Sequence, residues 1–129
     1  MISVVRNGEL YVKSFLDHCR SVGVRHFVFL DNGSTDRTVE MLCAHGDVTV
    51  LQTNAPYQKY ENTMKGYLAE RFSPGKWNLC ADIDELLDYP FSERLSLRDF
   101  LSYLNENHYT AGLAQTRHVF RGAAGQIQQ

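Results

Sequence analysis

HFVFLDNGSTD, residues 26–36, decides how this chain folds. His26 to Leu30 form a continuously apolar run, the pattern of a strand covered on both faces, because a half-exposed strand would alternate. The run passes directly into DNGSTD, which is dense in turn-forming residues. A strand covered on both faces needs layers above and below it, and the flanking sequence supplies them. Upstream, Ile2 to Val5 is a short β-branched run, and 10–22 then places Tyr11, Phe15, Cys19 and Val22 on one helical stripe. Downstream, Ser34 or Thr35 can cap a helix running to about residue 44, Gly46 can end it, and Val48 to Leu51 makes a third strand.

Tyr57, Tyr60, Met64, Leu68 and Phe72 recur at helical spacing, which predicts a long amphipathic helix over 57–72 closed by Ser73-Pro74-Gly75. Trp77 to Ala81 reads as a fourth strand. Leu97, Phe100, Leu101 and Leu104 mark a further helix with Ser96 as its N-cap, and Tyr109 to Phe120 is expected to be extended. Regular strand–helix alternation predicts the α/β class: a Rossmann-like, mostly parallel sheet with helices on both faces.

The 129 residues suit one domain with a real core, so 1–129 is expected to form a single unit. Apolar residues make up 43% and charged residues 22%, which argues against disorder. A formal net charge of −2 with interspersed signs gives no basic footprint for nucleic acid. Cys19, Cys43 and Cys80 are odd in number and lack a CxxC pair, so neither a disulfide framework nor a zinc site is indicated. No apolar run approaches the ~20 residues that span a bilayer, and the start has no signal-peptide core. A cytoplasmic protein, or one peripheral at a membrane, is expected.

In open α/β sheets, ligands bind outside the carboxyl ends of the strands. Here those ends read Arg6-Asn7, Asp31-Asn32 and Asp82-Ile83-Asp84-Glu85. Three acids within four positions repel one another, and carboxylate oxygens suit a hard cation such as Mg²⁺ or Mn²⁺ that also holds phosphate. Residues i and i+2 on an extended backbone point opposite ways, so Asp82 and Asp84 can both face a ligand only if the chain turns there. One is then expected to bind metal and the other to meet a ribose or a bridging water. The bland alternative is a strand-end turn with solvated acids. Asp31 reads either as an Asx turn with Asn32-Gly33 or as an acceptor for a base N–H or ribose hydroxyl. Arg6 is either a plain surface charge or a partner for a diphosphate. His18, His26, His45, His108 and His118 show no ligand spacing, and Trp77, Tyr57 and Tyr60 read as core rather than as a sugar platform.

The ordered combination of residues 4–42 (VVRNGELYVKSFLDHCRSVGVRHFVFLDNGSTDRTVEML), 76–90 (KWNLCADIDELLDYP) and 118–125 (HVFRGAAG) resembles the family 2 type glycosyltransferases of the A-type fold. It is most similar to the branch reading roughly VRNE, DNxSxD, W…DxDEF and FGSSG. The resemblance implies that Ser3, Val4 and Arg6 lie against the nucleotide base, that Asp31 contacts base or ribose, and that Asp82 meets the ribose or diphosphate. It further implies that Asp84 ligates the cation, with Asp82 beside it, and that Glu85 is the acid that often follows. The implied reaction moves a sugar from a nucleotide-diphosphate donor to a hydroxyl of a glycan or other acceptor, with Mg²⁺ or Mn²⁺ stabilising the departing diphosphate. Two departures stand out. Gly8 and Glu9 occupy the place of the branch's Glu, and FRGAAG at 120–125 replaces FGSSG.

Members of this fold commonly run to about twice a single-domain length, and the acceptor side with its general base lies further along. The expectation is therefore a chain lacking its acceptor part, with no catalytic base assigned. Asp88 and Glu93 are the nearest acids by position, and they read as solvated loop residues. A non-catalytic nucleotide-sugar-binding module or an inactive fragment is the competing function. A phosphatase with a DxD nucleophile fits poorly, because its DxDx(T/V) follows the first strand and position 86 here is Leu.

Overall fold

The computed structural model describes residues 1–110 and, as backbone, 115–118. β2 (Phe27–Asp31) is the middle strand of a three-stranded parallel sheet, with β1 (Ile2–Val5) on one side and β3 (Val48–Gln52) on the other. Leu30 stands opposite both Val4 and Leu51, and Asp31 opposite both Val5 and Gln52, so the three strands finish together. All five residues of β2 are buried.

Successive side chains of β1 and β2 go to opposite faces. Val5, Phe27 and Phe29 pack with Val12, Phe15 and Leu16 of α1 (Val12–Ser21) and Leu42 of α2 (Thr38–Cys43). The Phe15 and Phe29 rings meet edge-on with centroids 6.0 Å apart. Ile2, Val4, Val28 and Leu30 face the other way, onto Met64 and Leu68 of α3 (Tyr57–Phe72). The fold is α/β, a parallel sheet flanked by helices on both faces, as the apolar run of 26–30 requires. Each fully buried aliphatic or aromatic side chain contributes roughly 1.5–3 kcal/mol. Burial inside the α1 layer pushes the Cys19 thiol up to about 11.

Several local expectations need correction. α2 begins at Thr38 rather than at Ser34 or Thr35. Asp36 Oδ1 accepts from the Thr38 amide at 3.0 Å, while Ser34 and Thr35 are held by Asn7. The fourth parallel strand expected over 77–81 shrinks to a single bridge, Ile2 to Cys80, with the Ile2 amide donating to the Leu79 carbonyl at 2.8 Å. The Ser73–Asn78 side-chain bond curls the chain just before it, and a turn at 82–85 ends it. Next comes β4 (Glu85–Asp88), which pairs antiparallel with β5 (Gln115–His118) in a separate two-stranded sheet. Of the extended stretch expected over 109–120, residues 115–118 are strand, while 111–114 and 119–120, with the rest of FRGAAG at 120–125, lie outside the described residues.

α3 spans 57–72 as expected, but of its apolar stripe only Met64 and Leu68 are buried; Tyr60 and Phe72 are each 37% exposed. α4 (Leu97–Glu106) starts where its cap predicts, the Ser96 hydroxyl accepting from the Asp99 amide at 3.1 Å. Tyr89 stacks on Phe100 at 5.3 Å, and the Trp77 indole donates to Asn105 Oδ1 at 2.8 Å, so this helix is tied to the segments around β4. His18 Nε2 donates to the Leu87 carbonyl at 2.7 Å, linking α1 to β4. Among the described residues no helix is long and apolar enough to cross a membrane.

Arg20 at the end of α1 holds Asp47, just before β3, through two parallel bonds of 2.9 and 2.7 Å. Both side chains are under one-third exposed. The Arg20 hydrogen bond and charge hold the Asp47 carboxyl below its ordinary 3.8 against the opposing effect of burial. A folded-state pKa below the unfolded one stabilises the fold above the unfolded value, and that gain is lost as pH falls through the folded value. Asp47→Asn should therefore lower stability by about 1 kcal/mol at neutral pH, a difference that fades below about pH 4. Urea unfolding of both proteins across that range measures it, and a pH-independent difference would rule out the ion pair as its cause.

Candidate functional site

Two pairs of hydrogen bonds zip the loop after β1 to the loop after β2. Asn7 adopts a left-handed backbone (φ 51°), which Asn tolerates better than most residues. Its amide donates to Ser34 Oγ at 2.9 Å, and its side-chain oxygen accepts from the Thr35 amide at 2.8 Å. One turn on, the Glu9 amide donates to Asp36 Oδ2 at 3.2 Å and Glu9 Oε2 accepts from the Arg37 amide at 3.1 Å. Glu9 thus braces the approach to α2. Asn32, buried after β2, donates to the carbonyls of Thr53 and Ala55 and so anchors the loop that leads from β3 into α3.

These loops and the acidic segment enclose a cavity of about 820 Å³ at the carboxyl ends of the strands. Its walls come from 4–8, 32–33, 54–58 and 82–84, with Tyr11 behind them. The size falls in the range of small-molecule sites.

The acidic segment is a turn. The Glu85 amide donates to the Asp82 carbonyl at 3.0 Å, and the Glu85 carboxylate reaches back to accept from the Asp82 amide at 3.1 Å. This reversal lets Asp82 and Asp84 line the same cavity, where an extended backbone would send them to opposite sides. Between them Ile83 is buried against the α1-side core, and it fixes the turn in place. Gly8 makes that approach possible. A Cβ at position 8 would sit 3.0 Å from two carbons of Ile83 and 3.0 Å from a Val5 methyl.

Burial pushes the Asp82 carboxyl above its ordinary range; Lys65 opposes this, and the like charges of Glu85 and Asp84 add to it. Lys65 of α3 places Nζ 2.6 Å from Glu61 Oε1 and 4.0 Å from Asp82 Oδ1. Burial pulls the Lys65 ammonium down, but its hydrogen bond to Glu61 and the nearby Tyr57, Asp82 and Cys80 outweigh this and hold its pKa up. Among the described residues no group of three or more His, Cys, Asp or Glu side chains converges as a metal cage. A Mg²⁺-type ion needs no such cage, since it keeps several waters and takes one or two carboxylates together with substrate phosphates. Two carboxylates on one turn, with an ammonium already drawn to one of them, are a donor set that fits such a cation.

Of the residues singled out in the sequence, Val4, Arg6, Asp82 and Asp84 line the cavity. Ser3 and Asp31 do not. Ser3 is 1% exposed, alternates with Val4 on β1, and has no hydrogen-bond partner for its hydroxyl among the described residues. Asp31 is equally buried, and both of its carboxylate oxygens accept from the Ser34 amide, an Asx-type turn. Tyr57, read as core, is half-buried and also lines the cavity, and Tyr60 is exposed. Asp88 accepts from the Ser92 hydroxyl outside the cavity lining. Sequence reasoning missed Gly8, the 54–58 wall and Lys65. The wall was signalled by Asn54-Ala55-Pro56 at the carboxyl end of the third strand, and Gly8 only by its departure from the branch pattern.

No protein family profile matches the chain, and no curated protein matches it. Among solved structures the chain is similar to the crystal structure of S. aureus TarS 1–349, with a TM-score of 0.58 and 23% identity over 83% of this chain and 32% of that one. The chain thus spans about a third of the length of that protein. At this identity the likeness concerns the fold.

Gly8→Ala should destabilise the protein by about 1–2 kcal/mol, because the new methyl overpacks Ile83 and Val5. Combining it with Ile83→Val should recover part of that loss. Denaturant unfolding of the single and double variants tests both statements, and additive losses would contradict the contact.

Proposed function

We propose that the cavity binds a nucleotide-diphosphate sugar together with Mg²⁺ or Mn²⁺, and that the chain is the donor-binding part of a metal-dependent glycosyltransferase acting on a hydroxyl of a glycan or other acceptor. The observation that carries this reading is the 82–85 turn, which brings Asp82 and Asp84 to one cavity at the carboxyl ends of the parallel strands. Another part of the cavity lining suits an anion. The lining there includes the start of α3, from its N-cap Pro56 to Gln58, where the unpaired amides and positive end of a 16-residue helix lie and where the first turn carries no acid, and Arg6 adds a positive charge to the same cavity. TarS is a glycosyltransferase, and the shared fold supports the same class of chemistry here.

On this reading Val4 packs against the base, and Asp31 shapes the loop after β2 through its Asx turn with Ser34. Asp82 meets the ribose or a bridging water, Asp84 is the principal cation ligand, and Arg6 pairs with the diphosphate. The bound cation supplies neutralisation of the charge that develops on the leaving diphosphate. Asp82 and Asp84 are the only carboxylates among the described residues that line the cavity, which favours as second reading a module that binds donor without transferring it.

Calorimetry with UDP and GDP, with and without EDTA, is the direct test. Binding should require Mg²⁺ or Mn²⁺, and equal affinity in EDTA would overturn the metal role. Asp84→Asn should weaken metal-dependent binding by more than about a hundred-fold, since losses of about 10–100-fold are typical of residues one step removed from the metal. The variant should keep the parent's melting temperature, because it removes one charge from a mutually repelling group. Transfer of labelled sugar to any of a panel of acceptors separates the two readings.

A further inference from the structure

We infer that Lys65 is the resident counter-cation of the acidic turn, a positioning residue that holds Asp82 when no metal is present and competes with the divalent cation for it. The inference rests on the metal-assisted reading of the cavity. Tyr57, Glu61 and Lys65 form a ladder one helical turn apart along α3, in which Glu61 accepts from Lys65 at 2.6 Å. Tyr57 lines the cavity, so this ladder runs from its wall to the acid turn. Lys65 has a 26% exposed side chain, and its Nζ lies between two carboxylates, bonded to Glu61 and 4.0 Å from Asp82.

That asymmetry gives the ammonium a place to retreat. Held at Glu61, it still offsets the repulsion among Asp82, Asp84 and Glu85, yet it leaves the Asp82 oxygens accessible, with half of that side chain exposed. A dication at the turn repels the ammonium, and Glu61 retains it. A plain helix-surface pair between Glu61 and Lys65 would have no effect on metal binding, so the two descriptions part in a titration.

The test is titration of the full chain with Mn²⁺ alone, followed by electron paramagnetic resonance of the free ion. Lys65→Met keeps the apolar stem and removes the charge. One unit charge this close to a half-exposed ligand changes dication affinity by about three- to ten-fold after screening. Lys65→Met should bind Mn²⁺ tighter by that factor, and Lys65→Arg should match the parent. Glu61→Gln, which frees the ammonium to close on Asp82, should bind Mn²⁺ about three-fold or more weakly. A parent that binds Mn²⁺ with Lys65→Met unchanged or weaker overturns the role of Lys65 alone. Should Lys65→Met fail to fold, an unaltered affinity in Glu61→Gln overturns it. Absence of Mn²⁺ binding by every form overturns the metal reading of the cavity and this inference with it.

Discussion

Everything in this molecule follows from the enclosure of β2. Its main-chain groups pair with β1 on one side and β3 on the other, and its side chains are buried under helices on both faces. A strand so enclosed has no place along its length for a solvated polar group. Polarity is driven to the strand ends, and because the three parallel strands finish in register, it gathers at one edge. The cavity is the space between loops that must all begin there.

The loops could splay, and hydrogen bonds keep them from doing so. Asn7 with Ser34 and Thr35, Glu9 with Asp36 and Arg37, and Asn32 with the 53–55 backbone join the three strand ends to one another. Net worth is about 1 kcal/mol for each such bond, and more where a carboxylate takes part. The acidic turn enters this frame by a different route, through the burial of Ile83 beside Gly8. Apolar contact sets where the turn sits, and backbone bonds set which way its acids face.

How much of this is written locally in the sequence differs from part to part. The apolar run at 26–30 sufficed for the α/β class, since continuous apolarity has only one use in a short strand. Helices α3 and α4 were legible from spacing and from the Ser96 cap. The start of α2 was not, because Ser34 and Thr35 look like caps but are held by Asn7, 27 and 28 residues away. The expected strand at 77–81 had the right residues but pairs only at Cys80. For the site, proximity of the strand ends correctly grouped Arg6 with Asp82 and Asp84. Ser3 and Asp31 share the strands but face inward, a distinction that depends on which face the cavity opens. Lys65 was illegible, as a lysine on a long helix carries no sign of which carboxylate it will meet.

The seating of α3 has a thermodynamic consequence. This 16-residue helix is fixed to the sheet chiefly by Met64 and Leu68, with Tyr57 and Ala69 half-buried beside them. An element with so little buried apolar surface is among the first to open in local fluctuations, at a free energy well below that of global unfolding. Its amino-terminal residues form one wall of the cavity, so a ligand spanning that wall and the strand ends binds only the docked arrangement. Occupancy and helix docking are then linked functions: whatever fills the cavity slows amide exchange along α3, and whatever loosens α3 lowers apparent affinity by the fraction of time the helix is away.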